Sequence, residues 1–195
     1  MLSLKNSLEI LKKTDALIEG HFVLSSGRHS GQYVQCAKLL SKPNYSKKIC
    51  ISLSKRIKKR YKNINLILAP AIGGIVIGYE IGRLLNLETI FCERVKKKFQ
   101  LRRGFVIPKN ANVLILEDVI TTGKSSLECV KLINKAKGSL VGFASIIDRS
   151  TKKSLKIKQN IVSHLKIDVP TYKSNQLPET LKLIPVSKPG SRFIK

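Results

Sequence analysis

The middle of the chain alternates short apolar runs with segments of helical character, and this alternation constrains the fold more than any other feature. The apolar runs have the length of strands and occupy residues 64–69, 89–93, 112–118 and 140–148. Helical segments follow two of these runs, at residues 75–85 and 124–137. Because buried strands that alternate with helices form a sheet covered on both faces, the sequence predicts an α/β fold with a central parallel sheet flanked by helices.

The residues before this region are predicted to form two helices and a hairpin. Apolar residues recur at helical spacing over residues 3–19, which indicates an amphipathic helix. Residues 21–36 alternate around a Ser-Ser-Gly turn, which is typical of a short hairpin. A second helix is predicted to begin at Pro43 and to end at about Tyr61.

The regular pattern weakens beyond Ser150, and the C-terminal region is predicted to complete a small lobe. A short strand or two would join the hairpin there. The resulting hood lobe would comprise about residues 20–36 and 155–195, over a core of about residues 43–150. With 195 residues, the chain is expected to form a single domain.

The charge balance indicates an anionic partner. The chain contains 37 Lys and Arg residues against 12 Asp and Glu residues, which gives a formal net charge of +25. Such a charge attracts nucleic acids, anionic membranes and anionic small molecules. Aromatic residues make up only 6%, and the sequence lacks a basic, aromatic-rich segment for stacking bases. We therefore expect a lysine-rich solvated surface and an anionic substrate, with no specific nucleic acid partner.

Several other classes are disfavoured by the pattern. No apolar run approaches the roughly 20 residues that span a bilayer, and the N-terminus lacks the features of a secretory signal. A cytoplasmic location without membrane association is expected. The four cysteines form no C-x-x-C pair and the three histidines show no metal-ligand spacing. We expect reduced core thiols rather than disulfides or a zinc site.

The polar and glycine-rich segments all follow predicted strands. They comprise residues 69–74, 94–104, 118–125 and 148–151. In open α/β sheets, ligands bind outside the carboxyl ends of the strands. The sequence therefore predicts one active site at that edge.

The stretch VLILEDVITTGKSS, residues 113–126, gives this site its chemistry. A hydroxyl-rich loop before a helix presents N–H groups to a phosphate. The stretch is not a P-loop, because Asp118 occupies the position that requires the first glycine. Instead, Glu117 and Asp118 could bind ribose hydroxyls, or a Mg²⁺ that those hydroxyls share with a diphosphate. The loop would then recognise a ribose 5-phosphate.

This motif resembles the phosphoribosyl diphosphate (PRPP) motif of type I phosphoribosyltransferases. The segments FVLSSGRHSGQYVQ, PAIGGIVIGYEIGR, ERVKKKFQLRRGF, IIDRS and KPGSR follow the order seen in the orotate phosphoribosyltransferase family. The resemblance covers nearly the whole chain. It implies transfer of a phosphoribosyl group from PRPP to orotate, giving orotidine 5′-monophosphate and diphosphate. It further implies Mg²⁺ held mainly by PRPP, with Asp118 as its protein contact, and a homodimer whose subunits share active sites.

The resemblance also assigns roles to individual residues. The residues expected to bind PRPP are Glu117, Asp118, Val119, Ile120, Thr121, Thr122, Gly123, Lys124, Ser125 and Lys97. Those expected to contact orotate are Thr121, Arg149, Tyr33, Val34 and Ser25. The diphosphate loop would comprise Ile72, Gly73 and Gly74, and the catalytic set Arg94, Lys98 and Asp118. Residues 94–104 would form a mobile lid that reaches the neighbouring subunit. Independently of the family, a guanidinium at a strand end, such as that of Arg149, can grip a carboxylate.

The chain departs from the family pattern at positions that normally carry cations. Ser25 stands where many relatives have Lys, Ile72-Gly73 where they have Tyr-Lys, and Gln100 near the position of a lid His. Candidates for the missing charge are Lys96, Lys97, Lys98, Arg102 and Arg103.

Two alternatives stay open at the level of sequence. A purine phosphoribosyltransferase shares the PRPP motif, although the hairpin and terminal segments disfavour it. An RNA-binding regulator built on the same fold would suit the charge of +25.

Overall fold

The computed structural model describes residues 2–24, 26–151, 154–159 and 161–187. In chain order, its elements are α1 (Leu4–Lys13), β1 (Leu17–Val23), β2 (His29–Val34), α2 (Cys36–Leu40), α3 (Pro43–Arg60), β3 (Leu66–Pro70), α4 (Gly73–Leu85), β4 (Glu88–Val95), β5 (Lys98–Leu101), β6 (Asn112–Ile120), α5 (Lys124–Lys135), β7 (Ser139–Asp148), β8 (Ile161–Lys166), a 3-10 turn (Ser174–Gln176), α6 (Glu179–Lys182) and β9 (Val186–Ser187).

Among the described residues, six strands form the central sheet, in the order β5-β4-β3-β6-β7-β8. In the series β4-β3-β6-β7-β8, each strand runs parallel to its neighbours. Strand β5 runs antiparallel to β4 at the edge. The predicted parallel sheet is confirmed, with a hairpin at one edge.

Helices cover both faces of this sheet. Every position of β3 is buried, and its side chains alternate between two cores. Ile67 packs with the helices α3 and α4, while Leu66 and Leu68 pack on the side of α5. Burial on both faces explains why β3 reads as a continuous apolar run rather than an alternating one.

The hood lobe contains a smaller sheet of order β2-β1-β9 in the described part of the chain. The turn after β1 is tied to the C-terminal region, because Arg28 donates from Nε to Thr171 Oγ1 at 2.9 Å and from Nη2 to Thr171 O at 2.7 Å. The C-terminal region therefore does join the hairpin, as the sequence predicts.

Two predictions made from the sequence are wrong in detail. The first helix does not extend over residues 3–19, since α1 ends at Lys13 and β1 begins at Leu17. Leu17 pairs with Val34 of β2, and this strand pairing outweighs the helical spacing of the apolar residues. Residues 161–166 were expected in the hood lobe, yet they form β8, which pairs with β7 in the central sheet.

In the part of the chain that the structure describes, no helix combines the length and apolar character needed to cross a bilayer.

Candidate active site

The strand order creates a crevice between β3 and β6. The chain runs from β3 outward to β4 on one side, and it continues from β6 outward to β7 on the other. The loops that leave β3 and β6 therefore diverge at the carboxyl edge of the sheet. Such a switch point is where open α/β sheets bind ligands.

The loop after β6 forms a cavity of about 80 Å³ at this edge. Its lining contains eight residues of the predicted PRPP set: Glu117, Val119, Ile120, Thr121, Thr122, Gly123, Lys124 and Ser125. Gly123 has a φ of 72°, and a Cβ there would lie 2.6 Å from the Ile157 side chain. The loop thus requires glycine where it turns into α5, whose first residues, Lys124 and Ser125, line the cavity.

Burial disfavours the ionised forms of Glu117 and Asp118, the acidic pair near the end of β6. Glu117 is buried and accepts a short hydrogen bond from Ser126 Oγ. Burial raises the pKa of Glu117 to about 7, and the neighbouring charge of Asp118 adds to the shift. Burial likewise raises the pKa of Asp118, against the hydrogen bond that its Oδ1 accepts from Val119 N at 2.9 Å. The pair would therefore gain from hydroxyl or cationic partners that restore its solvation.

The loop after β3 approaches Asp118 directly. A Cβ built on Gly73 would lie 2.6–2.7 Å from the carboxylate of Asp118. A Cβ on Gly74 would lie 3.0 Å from Leu116 O, so this position is also confined. The diphosphate loop and the acidic pair, predicted from separate parts of the sequence, thus meet in the crevice. Ile72, the residue before Gly73, is 86% exposed.

Arg149 adds a cation to the same edge. Its backbone N–H donates to Ile120 O at 2.8 Å, and its side chain lies near Tyr33 and Cys36. Within the described residues its buried Nε lacks a hydrogen-bond partner, and burial lowers the pKa of the guanidinium. A desolvated guanidinium with an unused donor is suited to an anionic ligand.

Strand β2 of the hairpin contains two more of the residues predicted to contact orotate, Tyr33 and Val34. Tyr33 is partly exposed and lies near Arg149, whereas Val34 is buried in the core. Sequence reasoning missed Cys36, the first residue of α2, whose Sγ lies 3.8 Å from Asp118 O and connects α2 to the acidic pair. Ser25 lies outside the described residues, as does the terminal KPGSR segment.

The predicted lid is a folded β-hairpin made of β4 and β5. At its turn, Lys96 and Lys97 adopt positive φ values of 47° and 66°. Arg94 donates from Nη1 to Glu128 Oε2 at 2.8 Å and to Lys97 O at 2.7 Å. Glu128, on α5 of the same chain, is a second residue that sequence reasoning missed. The exposed side chain of Lys98 begins β5.

Two of the candidates for the missing charge have acidic partners. Arg103 Nε lies 2.5 Å and Arg102 Nη1 lies 3.6 Å from the carboxylate of Glu93. Lys96, Lys97 and Lys98 are exposed, and the described ion pairs do not include them. The lysines at the turn are therefore better placed than the two arginines to accept an anionic partner.

Comparison with known proteins identifies the class that this fold and crevice define. The family model of the phosphoribosyl transferase domain matches residues 37–176. A crystal structure of orotate phosphoribosyltransferase from Aeropyrum pernix shares the fold, with a TM-score of 0.70 and 21% identity over 82% of this chain and 92% of that chain. Adenine phosphoribosyltransferase from Saccharomyces cerevisiae also shares it, with a TM-score of 0.63 and 16% identity over 81% and 99% of the chains. The protein is a phosphoribosyltransferase of type I fold.

Relatives of higher sequence identity identify the family within this class. Orotate phosphoribosyltransferase from Caldicellulosiruptor saccharolyticus is 42% identical over 96% of this chain and 97% of its own length. That from Erythrobacter litoralis is 40% identical over 95% of this chain and 96% of its own length. The chain belongs to the orotate phosphoribosyltransferase family.

Proposed function

We propose that the protein transfers the phosphoribosyl group of PRPP to orotate in pyrimidine biosynthesis, releasing diphosphate. The observation that carries this proposal is the convergence of three features on one crevice. These are the hydroxyl-lined loop after β6, the acidic pair beside Gly73, and the desolvated guanidinium of Arg149. They match a phosphate, a ribose and an anionic acceptor, respectively.

The roles follow from the chemistry of each group. The N–H groups and hydroxyls of residues 121–125 hold the 5′-phosphate at the start of α5. Glu117 and Asp118 accept hydrogen bonds from the ribose hydroxyls, and Arg149 with Tyr33 orients orotate through its carboxylate. The bond from the anomeric carbon to diphosphate breaks as the bond to the orotate ring nitrogen forms, and the proton of that nitrogen passes to diphosphate or water. Arg94, Lys97 and Lys98 stabilise the charge that develops on diphosphate.

We also propose that the reaction uses Mg²⁺. Among the described residues, no group of three or more His, Cys, Asp or Glu side chains could enclose a metal ion. The adjacent carboxylates fit instead an ion that takes most of its ligands from PRPP oxygens and water, with Asp118 as the protein contact. Bound there, Mg²⁺ would neutralise charge on the diphosphate.

A homodimer is part of the proposal. Ile72, Val76 and Tyr79 follow one another at helical spacing and are 86%, 52% and 69% exposed. Large apolar side chains on one face at the beginning of α4 favour a protein interface. A second copy of the chain is the proposed occupant, because Ile72 precedes Gly73 at the crevice and an interface there would bring a second chain to the site.

We propose a cytoplasmic location. The four cysteines are free and buried, which suits a reducing compartment.

The test is a substrate panel on the purified protein. Orotate absorbance is followed with PRPP and Mg²⁺, and adenine, hypoxanthine and uracil serve as rival acceptors. Orotate should be consumed in step with diphosphate release, and omission of Mg²⁺ should stop the reaction. Turnover of a purine in preference to orotate would reject the assignment and favour a purine phosphoribosyltransferase.

A further inference from the structure

Glu128 is the acidic residue to which the lid hairpin is fastened. It lies in α5, the helix that begins directly after the phosphate loop, and it pairs with Arg94 of β4 at 2.8 Å. The two elements are packed closely at this level. Cys92 of β4 and Cys129 of α5 are fully buried, with their sulfur atoms 3.5 Å apart.

The guanidinium of Arg94 is held along one edge and one face. Nη1 donates to both Glu128 Oε2 and Lys97 O, so both of its N–H bonds are occupied. The planar group also stacks on Phe99, with its Cζ 4.0 Å from the ring centroid. Phe99 is itself buried, so the ring provides a fixed support. Such an arrangement leaves a guanidinium little freedom to reorient.

The remaining donors of Arg94 have no assigned partner. In the part of the chain that the structure describes, its hydrogen bonds all come from Nη1, which leaves Nε and Nη2. The Arg94 side chain is 40% exposed, and the three N–H bonds of Nε and Nη2 remain for a further acceptor. An anion with two oxygens can accept from such a pair of nitrogens in parallel.

We propose that Glu128 is a positioning residue for the reaction. It orients Arg94 so that Nε and Nη2 receive diphosphate, and it links that cation to the helix that begins at the phosphate loop. This inference rests on the proposed function, in which Arg94 stabilises diphosphate. Glu128 touches neither substrate, and it acts through the guanidinium that it holds.

The direction in which diphosphate affinity changes distinguishes a positioning role of Glu128 from a purely electrostatic one. Glu128→Gln removes a negative charge near the anion site, so a bystander role predicts tighter diphosphate binding. A positioning role predicts the opposite, because the released guanidinium must then be ordered when diphosphate binds. We expect the dissociation constant of inorganic diphosphate, measured with Mg²⁺ present, to rise about five- to tenfold.

Kinetics and a conservative variant complete the test. In Glu128→Gln, the KM for PRPP should rise about fivefold while the KM for orotate stays within about twofold, since Arg149 is untouched. Glu128→Asp keeps the carboxylate and should recover part of the PRPP affinity, which mere loss of stability would not explain. Glu19→Gln, which breaks the exposed 2.9 Å pair with Lys12, provides the matched charge control and should change neither constant.

The Arg94→Ala variant distinguishes an error in the role inferred for Glu128 from an error in the proposed function of the protein. It should weaken diphosphate binding more than Glu128→Gln does, and the double variant should be no weaker than Arg94→Ala alone. If Arg94→Ala weakens binding but Glu128→Gln leaves it unchanged or tighter, the inference is overturned and the proposed function stands. If Arg94→Ala has no effect, the diphosphate role of Arg94 and the inference are both rejected, while turnover of orotate still decides the function.

Discussion

At the residue scale, the crevice is defined by ionisable groups that are desolvated and that take part in none of the ion pairs among the described residues. Glu117 and Asp118 have raised pKa values because they are buried, and Arg149 has a lowered pKa for the same reason. Burial of this kind costs free energy in the unliganded protein. The ligands that restore solvation would therefore recover part of that cost, which gives each residue a testable role in binding.

Asp118→Asn should leave the fold intact and sharply weaken the use of PRPP. The amide keeps the size of the carboxylate but loses the charge that would hold ribose hydroxyls or metal-bound water. Because Asp118 is desolvated in the unliganded protein, the variant should be at least as stable in thermal unfolding. Wild-type affinity for PRPP, measured by calorimetry, would remove Asp118 from the ribose site.

Arg149→Ala should raise the KM for orotate much more than the KM for PRPP. Loss of a partly desolvated guanidinium–carboxylate contact should cost about 2 kcal/mol or more, which is roughly thirtyfold in affinity. Steady-state kinetics with each substrate varied in turn provide the measurement. Equal effects on the two constants would assign Arg149 to a different part of the site.

At the element scale, the strand order of the central sheet brings the loops of the crevice together. The loops after β3 and β6 are separated by about 50 residues in sequence, yet they meet because the two strands are neighbours in the sheet. The structure makes this meeting close enough that Gly73 leaves no room for a side chain beside Asp118.

Gly73→Ala should therefore impair PRPP use without unfolding the protein. The added methyl group would lie 2.6–2.7 Å from the Asp118 carboxylate, which can rotate away, whereas the backbone need not move. We expect kcat/KM for PRPP to fall at least about tenfold, with thermal unfolding close to wild type. Gly31→Ala is the control, since its new Cβ would meet only Leu181 at 3.8 Å. Unchanged PRPP kinetics in Gly73→Ala would separate this loop from the ribose site.

A second inter-element contact makes the fold sensitive to acid. His164 of β8 and Ser7 of α1 are hydrogen-bonded at 2.8 Å between Nε2 and Oγ. Burial, with the charge of Arg56 as the smaller cause, lowers the pKa of His164 to about 4. The unfolded chain binds this proton near pH 6.5, so stability is lost as the pH falls from about 6.5 towards 4.

His164→Gln should reduce that loss. Between about pH 7 and about pH 5, His164 should account for about 2 kcal/mol of the wild-type decrease in unfolding free energy. Urea unfolding of both proteins at the two pH values measures the difference, and the other titrating groups, Glu117 among them, cancel in the comparison. An equal decrease in both proteins would show that His164 does not titrate in this window.

At the scale of the whole molecule, the proposed dimer makes each site composite. The hairpin that carries Lys98 is fastened to α5 of its own chain through Glu128. The apolar face of Ile72, Val76 and Tyr79 would bring a second chain beside the crevice. A shared site would therefore combine Asp118 of one subunit with Lys98 of the other, and two-fold symmetry would make both sites alike.

Subunit mixing tests this arrangement. Lys98→Ala and Asp118→Asn should each be nearly inactive alone. After exchange, about half of the dimers should be hybrids with one intact and one doubly altered site, so activity should recover to about a quarter of wild type. No recovery after verified exchange would show that the lid serves its own chain, and phosphoribosyl transfer would not be affected by that result.

The sequence by itself determined the α/β class, the family and the loops that lie at the carboxyl edge of the sheet. These depend on local signals: apolar runs of strand length, the acidic pair after β6, and glycine at the positive φ of residue 123. Such signals are readable because the backbone conformation and the burial of each segment are encoded within a few residues. The roles of Arg94 and Lys98 came from resemblance and stay predictions.

Only the tertiary structure decided the contacts between elements. Whether Leu17 continues a helix or starts β1 depends on its partner Val34, and whether residues 161–166 join the hood or the central sheet depends on β7. The same holds for Cys36 beside Asp118 and for Glu128 beside Arg94. Cys36 and Asp118 are 82 positions apart, and Arg94 and Glu128 are 34 apart. Leu17 and Val34 are 17 apart, and the paired residues of β7 and β8 are 18 apart. Pairings of this kind are set by strand order and packing, which no local pattern in the sequence specifies.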